Sequence, residues 1–358
     1  MTTRQRIARL VPLLKKFPGL GATSARELEQ WIALELGSLD ALETWKKYGP
    51  SQTRAVAPKT IYHVLAGNLA VSGQQSVLCG LLLGARNVVK LPSRGGDDLI
   101  CFIEMLPAPL RQLVTVQTEF DVEALKSADA VIAFGRDETV AEIRAQTRWD
   151  QLFLGYGLQV SVIWLGAVKK VTPALVAAVA HDICIYDQMG CLSPQAIFLE
   201  PGSKTEVFGE ALTEAMTREI ARLPKVERSA EEFGVIFETI DTARGLGQRV
   251  WTARSATNAT AGAVILDPKP QFRFSCLHRV IRLHEVKATQ LPQALDVVRG
   301  KISTLGLAGK LTPTLEKVLL PLGVKRFCRV GRMQHPPISW HHDGRPSLAD
   351  LVRWVDRD

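Results

Sequence analysis

The sequence predicts an α/β fold with two domains. From about residue 60 onward, short apolar runs alternate with amphipathic helical patterns, which is typical of βαβ units with parallel strands. The chain has 358 residues, of which 46% are hydrophobic, so it can bury more than one core. It has no apolar run of about 18 residues and no secretory signal pattern. We therefore expect a globular protein of the cytoplasm.

The N-terminal part predicts helices. Apolar residues recur at helical spacing between Ile7 and Leu14, and a second helix is predicted from an N-cap at Ser24 to Leu36. We predict that residues 1–59 form a helical lead-in. The basic start is also compatible with a membrane-surface helix or a transit peptide, but a surface helix with a solvated charged face is more common.

The next segment, up to residue 165, predicts a first α/β domain. It begins with a strand, a helix and a second strand in the order of a βαβ unit, and further strands follow. The predicted strands are residues 61–65, 87–91, 113–117, 130–134 and 160–165, and the predicted helices are residues 76–83 and a helix through residue 144.

A glycine follows the predicted strand 130–134, in the sequence Gly135-Arg136-Asp137. A phosphate could bind at the N-terminus of the next helix, where free amides and Arg136 would point at it. Alternatively, Gly135 only permits a tight turn, and Asp137 and Thr139 cap the helix. The residues alone do not decide between these interpretations.

The second half of the chain continues the alternation of helices and strands. We predict helices at 173–182, 204–222 and 291–305, and strands at 262–266 and 280–283. An irregular polar and aromatic loop at 331–346 precedes a predicted closing helix at 347–355. Such loops often serve a functional site.

The stretch around Cys191 is the best candidate for catalysis. The cysteine follows a polar Asp187-Gln188-Met189-Gly190 turn and precedes an apolar run, which predicts a loop that leads into a buried strand. Gly190 allows close approach of the backbone to a ligand, and amides after the cysteine could lower its pKa and bind an oxyanion. Alternatively, Cys191 is a small buried apolar residue, as most cysteines are.

Composition narrows the possible partners. The six cysteines lack a C-x-x-C pair, so we expect thiols rather than disulfides or a zinc site. The net charge of +8 suggests anionic partners, but the basic residues lack the aromatic interleaving of a nucleic-acid surface. In His341-His342-Asp343 adjacent side chains diverge and no further ligand follows at the right spacing, so we expect no metal.

Four segments in a fixed order resemble a known family: residues 66–68, 84–93, 134–135 and 190–191. From about residue 60 to its end, the chain resembles the aldehyde dehydrogenase superfamily. It is more closely similar to the LuxC-type acyl-CoA reductases, the fatty-acid reductases of bacterial luminescence operons. The closer match rests on residues 187–195, 340–344 and 351–354.

The resemblance implies an aldehyde dehydrogenase-like fold in two parts. A Rossmann-type NAD(P)-binding domain would span residues 60–165, and an α/β catalytic domain with the thiol would span residues 166–325. The segment 326–358 would return to the site and to the cofactor domain. A homo-oligomer is also implied.

The resemblance also implies roles for the matching residues. Cys191 would be the nucleophile that attacks an acyl thioester, and Asn68, with the Cys191 amide, would stabilise the oxyanion. NAD-preferring members usually carry a carboxylate at the place of Ser93; a small hydroxyl leaves room for a 2′-phosphate, so NADPH is expected. The implied cofactor residues are Lys90, Ser93 and Arg94 at the adenosine ribose, and Phe134, Gly135 and Arg136 at the pyrophosphate.

Two segments depart from the hydrolytic aldehyde dehydrogenases. Those enzymes have a water-activating glutamate where residues 153–158 here contain no carboxylate, so an acyl-enzyme should resist water. They also have a glutamate that anchors the nicotinamide ribose, and the matching residues 274–279 contain none. What anchors this ribose is left open.

The implied function is NADPH-dependent reduction of an acyl thioester, carried by coenzyme A or acyl carrier protein, to an aldehyde through a cysteine acyl-enzyme. Long acyl chains are favoured, and an acyl-transferring enzyme is a further expected partner. Two other functions are compatible with the sequence. One is a CoA-acylating dehydrogenase that oxidises a short-chain aldehyde, and the other is a catalytically silent scaffold subunit. Cofactor preference and acyl chain length test the first, and alkylation of Cys191 by an acyl electrophile tests the second.

Overall fold

The structure, a computed structural model, describes residues 1–67, 70–93, 95–224 and 227–358. By packing, the chain forms two units. The first unit contains residues 1–158 and 335–358, and the second contains residues 159–334.

The predicted division at 1–59, 60–165, 166–325 and 326–358 assigns a function to each segment. Packing does not test these functions, so the division stays a prediction. By packing, residues of the N-terminal segment share one hydrophobic core with the strands and helices that follow them and with the end of the chain.

The N-terminal segment is helical only in its first part. Its elements are α1 (Thr3–Leu14), α2 (Ala25–Leu36), β1 (Lys46–Tyr48) and β2 (Ser51–Val56). The N-cap predicted at Ser24 is confirmed, because Ser24 and Glu27 form a capping box. The prediction of helices throughout the segment was wrong for the two strands. They pair antiparallel with each other, and β2 also pairs with the last strand of the chain, a long-range contact that local periodicity does not reveal.

A five-stranded parallel sheet forms the centre of the first unit, in the spatial order β5-β4-β3-β6-β7. Its strands are β3 (Thr60–Val64), β4 (Arg86–Lys90), β5 (Val114–Gln117), β6 (Ala130–Phe134) and β7 (Leu152–Tyr156). The helices between them are α3 (Ala70–Leu83), α4 (Asp97–Glu104), α5 (Ala108–Arg111), α6 (Val122–Ser127) and α7 (Asp137–Ala145). This spatial order is typical of a doubly wound nucleotide-binding sheet. The strands β4 and β5 are added on one side of β3, and β6 and β7 are added on the other side, so the strand order reverses between β3 and β6.

The second unit is built on a seven-stranded sheet, in the order β10-β11-β12-β9-β8-β13-β14. Its strands are β8 (Val160–Gly166), β9 (Pro194–Leu199), β10 (Arg249–Arg254), β11 (Thr260–Leu266), β12 (Val280–Glu285), β13 (Ile302–Leu307) and β14 (Arg326–Arg329). Its helices are α8 (Pro173–Cys184), α9 (Thr205–Ile220), α10 (Ala230–Gly245), α11 (Leu291–Ala294) and α12 (Pro313–Leu319). β10 pairs antiparallel with β11, and the other neighbouring strands of this sheet pair in parallel.

The predicted helix at 291–305 was wrong. The helix α11 ends at Ala294, and a 3₁₀ turn follows at Asp296–Val298. The residues Ile302 and Leu305 belong to β13, which is buried between β8 and β14. Gly300 has a φ of +77° and donates its N–H to the carbonyl of Leu322, so the backbone leaves the helical path there.

The predicted closing helix at 347–355 was also wrong. A 3₁₀ turn at Ala349–Leu351 leads into β15 (Arg353–Arg357), which pairs antiparallel with β2. Both units nevertheless contain parallel strands connected by helices, so the predicted α/β fold is confirmed. Within the described ranges, no helix is long and apolar enough to cross a membrane.

Candidate active site

The carboxyl edge of the five-stranded sheet brings two predicted cofactor residues together. Val64 of β3 is paired with Lys90 of β4 on one side and with Ala133 of β6 on the other. Lys90 and Phe134 therefore end the two strands that flank β3. Doubly wound sheets bind their ligands at this edge, where the strand order reverses.

The loops after β3 and β4 approach each other closely. Gly95 has a φ of +69°, and a Cβ built on it would lie 2.8 Å from the carbonyl oxygen of Gly67. Lys90 is half-buried and Ser93 is exposed, so an ammonium and a hydroxyl are both available as donors to a phosphate. The predicted residues Asn68 and Arg94 lie outside the described residues.

The Gly135-Arg136 turn connects β6 to α7. Gly135 donates its N–H to the carbonyl of Tyr156 at 3.1 Å, and a Cβ on Gly135 would lie 3.3 Å from the Cβ of Thr139. The N-cap residue of α7 is Arg136, and Asp137 accepts a hydrogen bond from the N–H of Leu158 at 2.8 Å. Asp137 thus binds the loop after β7.

An aromatic stack lies at the same edge of the five-stranded sheet. It includes Trp340 and His342, which belong to the irregular loop at 331–346. The ring of His342 stacks on Tyr156 at a centroid distance of 4.5 Å and on Trp340 at 4.9 Å. Tyr156 in turn stacks on Phe134 at 4.7 Å. Burial lowers the pKa of His342, so its ring is neutral at neutral pH. The sequence did not predict this packing, because the stacked residues are far apart along the chain.

Cys191 lies in a tight turn before the amino end of β9. The N–H of Ser193 donates to the carbonyl of Gly190 at 2.9 Å, and the hydroxyl of Ser161 on β8 donates to the carbonyl of Cys191 at 2.7 Å. Cys191 is half-buried, whereas all six residues of β9 are buried. The structure therefore has the loop and the buried strand that the sequence predicted at this place.

The other thiols have different environments. All six cysteines, which lie within the described residues, are thiols. Burial raises the pKa of four of them: Cys79, Cys184, Cys276 and Cys328. A raised pKa makes a thiol a poor nucleophile at neutral pH, because the thiolate is the reactive form. Cys101 is exposed and lies on α4 of the first unit.

Two side chains that the sequence did not predict, those of Gln334 and Asp182, help to hold the Cys191 turn. The side-chain amide of Gln334 donates to the hydroxyl of Ser193 at 2.9 Å. Asp182, on α8, accepts hydrogen bonds from the N–H groups of Gly331 and Met333, just before Gln334. Burial raises the pKa of Asp182 to about 6.

The segment 274–279, which lacks the ribose-anchoring glutamate, has other partners. The Nδ1 atom of His278 lies 3.0 Å from a carboxylate oxygen of Asp187, and Nε of Arg279 lies 3.1 Å from the other. Asp187 comes four residues before Cys191. The side chains of His278 and Arg279 are therefore bound to the loop that precedes Cys191.

The fold as a whole is that of the aldehyde dehydrogenases. A betaine aldehyde dehydrogenase from Staphylococcus aureus matches 100% of this chain and 83% of its own, with a TM-score of 0.68 and 12% identity. An NAD-dependent benzaldehyde dehydrogenase from Corynebacterium glutamicum matches 100% of this chain and 86% of its own, with a TM-score of 0.63 and 11% identity. The fold predicted from the resemblance is confirmed.

Comparison of the sequence with known families also identifies the family of the chain. The family model described as acyl-CoA reductase (LuxC) matches residues 15–354, so the chain belongs to the LuxC family of acyl-CoA reductases. A relative from Vibrio harveyi is 30% identical over 91% of this chain and 70% of its own, and one from Aliivibrio fischeri is 24% identical over 96% and 76%. Both are named long-chain acyl-protein thioester reductase. The prediction of an acyl reductase enzyme is confirmed.

Proposed function

We propose that the protein uses NADPH to reduce a long-chain fatty acyl thioester to an aldehyde, through an acyl-enzyme on Cys191. The observation that carries this proposal is a half-buried cysteine in a fixed turn, in a chain of an acyl-CoA reductase family. The names of the relatives support a long-chain acyl thioester as the substrate.

Cys191 takes the acyl group and later releases it. The thiolate attacks the carbonyl carbon of the thioester, the bond to the donor sulfur breaks, and the donor leaves as a thiol after taking up a proton. The bound nicotinamide supplies the hydride that reduces the acyl group. The thiohemiacetal on Cys191 then expels the aldehyde, and the cysteine returns to its starting form. In the proposed mechanism, the Asn68 side chain and the Cys191 N–H stabilise the oxyanion.

The first unit provides the residues proposed to hold the cofactor. Lys90 and Ser93, with Arg94, suit the adenosine ribose and a 2′-phosphate, because they offer positive charge and donors without a carboxylate. Phe134, Gly135 and Arg136 suit the pyrophosphate, because they lie at the carboxyl end of β6, where the strand order reverses. The proposed choice of NADPH rests on Ser93.

The acyl donor is proposed to be acyl-CoA or an acylated carrier protein. Either is anionic, which suits the net charge of +8. The stretch 153–158 offers no carboxylate to activate water, so the acyl group is expected to persist until hydride arrives. We also propose a homo-oligomer, and an acyl-transferring enzyme as a partner.

The test separates acyl transfer from reduction. The protein is incubated with palmitoyl-CoA, octanoyl-CoA or acetyl-CoA without reductant, and the peptide that contains Cys191 is analysed by mass spectrometry. We expect an acyl adduct on Cys191, and after addition of NADPH we expect loss of the adduct with release of aldehyde. No adduct on Cys191, or faster CoA-dependent oxidation of short aldehydes, would contradict the proposal.

A further inference from the structure

Two short loops of the second unit have left-handed backbone. Residues Tyr186–Gln188 have φ between +52° and +63°, and residues Leu277–Arg279 have φ between +53° and +66°. They are six of the eight non-glycine residues with positive φ in the described ranges. This conformation costs roughly 1–2 kcal/mol for an ordinary L-residue, and such costs cluster at functional sites. Specific contacts must therefore hold both loops.

The carboxylate of Asp187 makes those contacts. Arg228 donates to it through Nε at 3.1 Å and Nη2 at 2.5 Å, while His278 lies at 3.0 Å and Arg279 at 3.1 Å. The side chains of Asp187 and Arg228 are 7% and 5% exposed. Although burial raises it, the hydrogen bonds from His278 and Arg228 bring the pKa of Asp187 below its usual value. One buried carboxylate thus bridges the two left-handed loops.

The partners of Asp187 are themselves tied to rigid elements. Arg228 also donates to the carbonyls of Ala261 and His278, and Arg279 donates to the carbonyl of Cys184 at the end of α8. Gly262 on β11 packs against this arrangement, because a Cβ there would lie 2.6 Å from the carbonyl oxygen of Arg279. The position of Asp187 is therefore fixed by α8, β11 and the second left-handed loop together.

The loop from Asp187 to Pro194 is held at both ends, with Cys191 between them. The side-chain amide of the buried Gln188 donates to the carbonyl of Pro194 at 2.8 Å. The Oε1 atom of Gln188 has no hydrogen-bond partner among the described residues, so this side chain is held by the one contact that closes the loop. A change in the left-handed segment would thus move the whole turn that carries Cys191.

We propose that Asp187 is a positioning residue for Cys191. Its carboxylate, bound by Arg228, His278 and Arg279, holds residues 186–188 in the left-handed conformation that sets the place of the cysteine. The effect of Asp187 on catalysis rests on the proposed function. Its effect on the reactivity of the Cys191 thiol does not.

The test compares two buried aspartates. In Asp187→Asn the ion pairs with Arg228 and Arg279 are lost. The matched control is Asp267→Asn, because Asp267 is also buried and pairs with Arg273 and Arg282 at 3.2 Å each, but follows β11 instead of leading to Cys191. For each variant we would measure the unfolding temperature, the rate of iodoacetamide alkylation at Cys191 by peptide mass spectrometry, and kcat and KM for palmitoyl-CoA.

Both variants should lose thermal stability, because each leaves at least one largely buried arginine without its carboxylate: Arg228 and Arg279 in Asp187→Asn, and Arg282 in Asp267→Asn. Only Asp187→Asn should slow alkylation of Cys191 and lower kcat, by roughly 10- to 100-fold, since a displacement of about 1 Å can cost that much. The value of KM should stay close to that of the wild type. Measurements are made well below the unfolding temperature of each variant.

A second variant covers the case in which Asp187→Asn does not fold. Arg228→Lys keeps the positive charge but cannot make the two-pronged contact, so it should slow alkylation of Cys191 by a smaller factor. Wild-type alkylation rates and kcat in whichever folded variant is obtained would overturn the inference. Full reductase activity in Cys191→Ala would instead overturn the proposed function, while the alkylation rates would still report on Asp187.

Discussion

The two parallel sheets hold their candidate residues in different ways. In the five-stranded sheet, Lys90 and Phe134 end the two strands that flank β3, and short glycine turns shape the loops around them. In the seven-stranded sheet, Cys191 precedes the amino end of a strand, and side chains from distant parts of the unit hold its turn. The first arrangement depends on local backbone, and the second depends on long-range contacts.

The two units also differ in the type of polar group that is buried. In the first unit, His63 is fully buried between the hydroxyl of Ser76 and the side-chain oxygen of Asn87, and burial lowers its pKa to about 4. In the second unit, the buried groups near the Cys191 turn include two carboxylates, those of Asp182 and Asp187. A neutral network therefore supports the first sheet, whereas carboxylates hold the loops of the second.

The largest effect should come from removal of the nucleophile. Cys191→Ala should lower aldehyde formation by at least about 10³-fold, because no other group takes over covalent catalysis, and it should leave NADPH affinity unchanged. The control is Cys101→Ala, which removes an exposed thiol from the first unit. Rates of aldehyde release and NADPH binding by fluorescence are the measurements. Equal losses of activity in both variants would contradict the assigned role.

The same comparison explains what the sequence could predict. The strands β3 to β6 of the first unit were predicted from alternating apolar runs and helical patterns, which are local. The strand β7 was not predicted, and the predicted strand at 160–165 is β8 of the second unit. The loop around Cys191 was predicted from its polar turn and the apolar run behind it. The contacts of Arg228, His278 and Gln334 with this region were not predicted, because they join residues far apart in the chain. The strands β2, β13 and β15 were missed for the same reason, since each pairs with a strand that is distant along the chain.

The second largest effect concerns cofactor choice in the first unit. Ser93→Glu would place a carboxylate where we propose a 2′-phosphate, and like charges about 4 Å apart repel by about 1–4 kcal/mol. The ratio of kcat/KM for NADPH to that for NADH should fall by about one to three powers of ten. Ser93→Gln, of the same size and neutral, should change the ratio much less. An unchanged ratio in Ser93→Glu would remove the basis for NADPH.

The contributions of Asp182 and His63 to stability should change in opposite directions with pH. The pKa of Asp182 is raised from 3.8 to about 6, so its contribution is present below pH 3.8 and is lost as the pH rises through 6, by about 3 kcal/mol. The pKa of His63 is lowered from 6.5 to about 4, so its contribution is present above pH 6.5 and is lost as the pH falls through 4, by a similar amount.

Urea unfolding of Asp182→Asn and His63→Gln between pH 4 and 7.5 measures this difference. Relative to the wild type, Asp182→Asn should become more stable as the pH rises, because it lacks the carboxylate that must ionise in a buried place. His63→Gln should become more stable relative to the wild type as the pH falls. The same sign of slope for both variants would show that the two buried networks do not differ in the way described above.

The smallest effect should come from Lys90, at the end of β4. Lys90→Ala should weaken both cofactors, because the ammonium can serve the ribose hydroxyls of either, but NADPH more, because only NADPH offers a charged phosphate. A hydrogen bond to a charged group is worth about 1 kcal/mol more than a neutral one, so the ratio of the two dissociation constants should shift about fivefold. The control is Arg86→Ala, which removes an exposed positive charge from the amino end of the same strand. That end lies about 13 Å away, beyond the screening length of about 8 Å at physiological salt, so Arg86→Ala should leave both dissociation constants unchanged. Equal shifts in the two variants would mean that general positive charge, and not the carboxyl edge of β4, selects the cofactor.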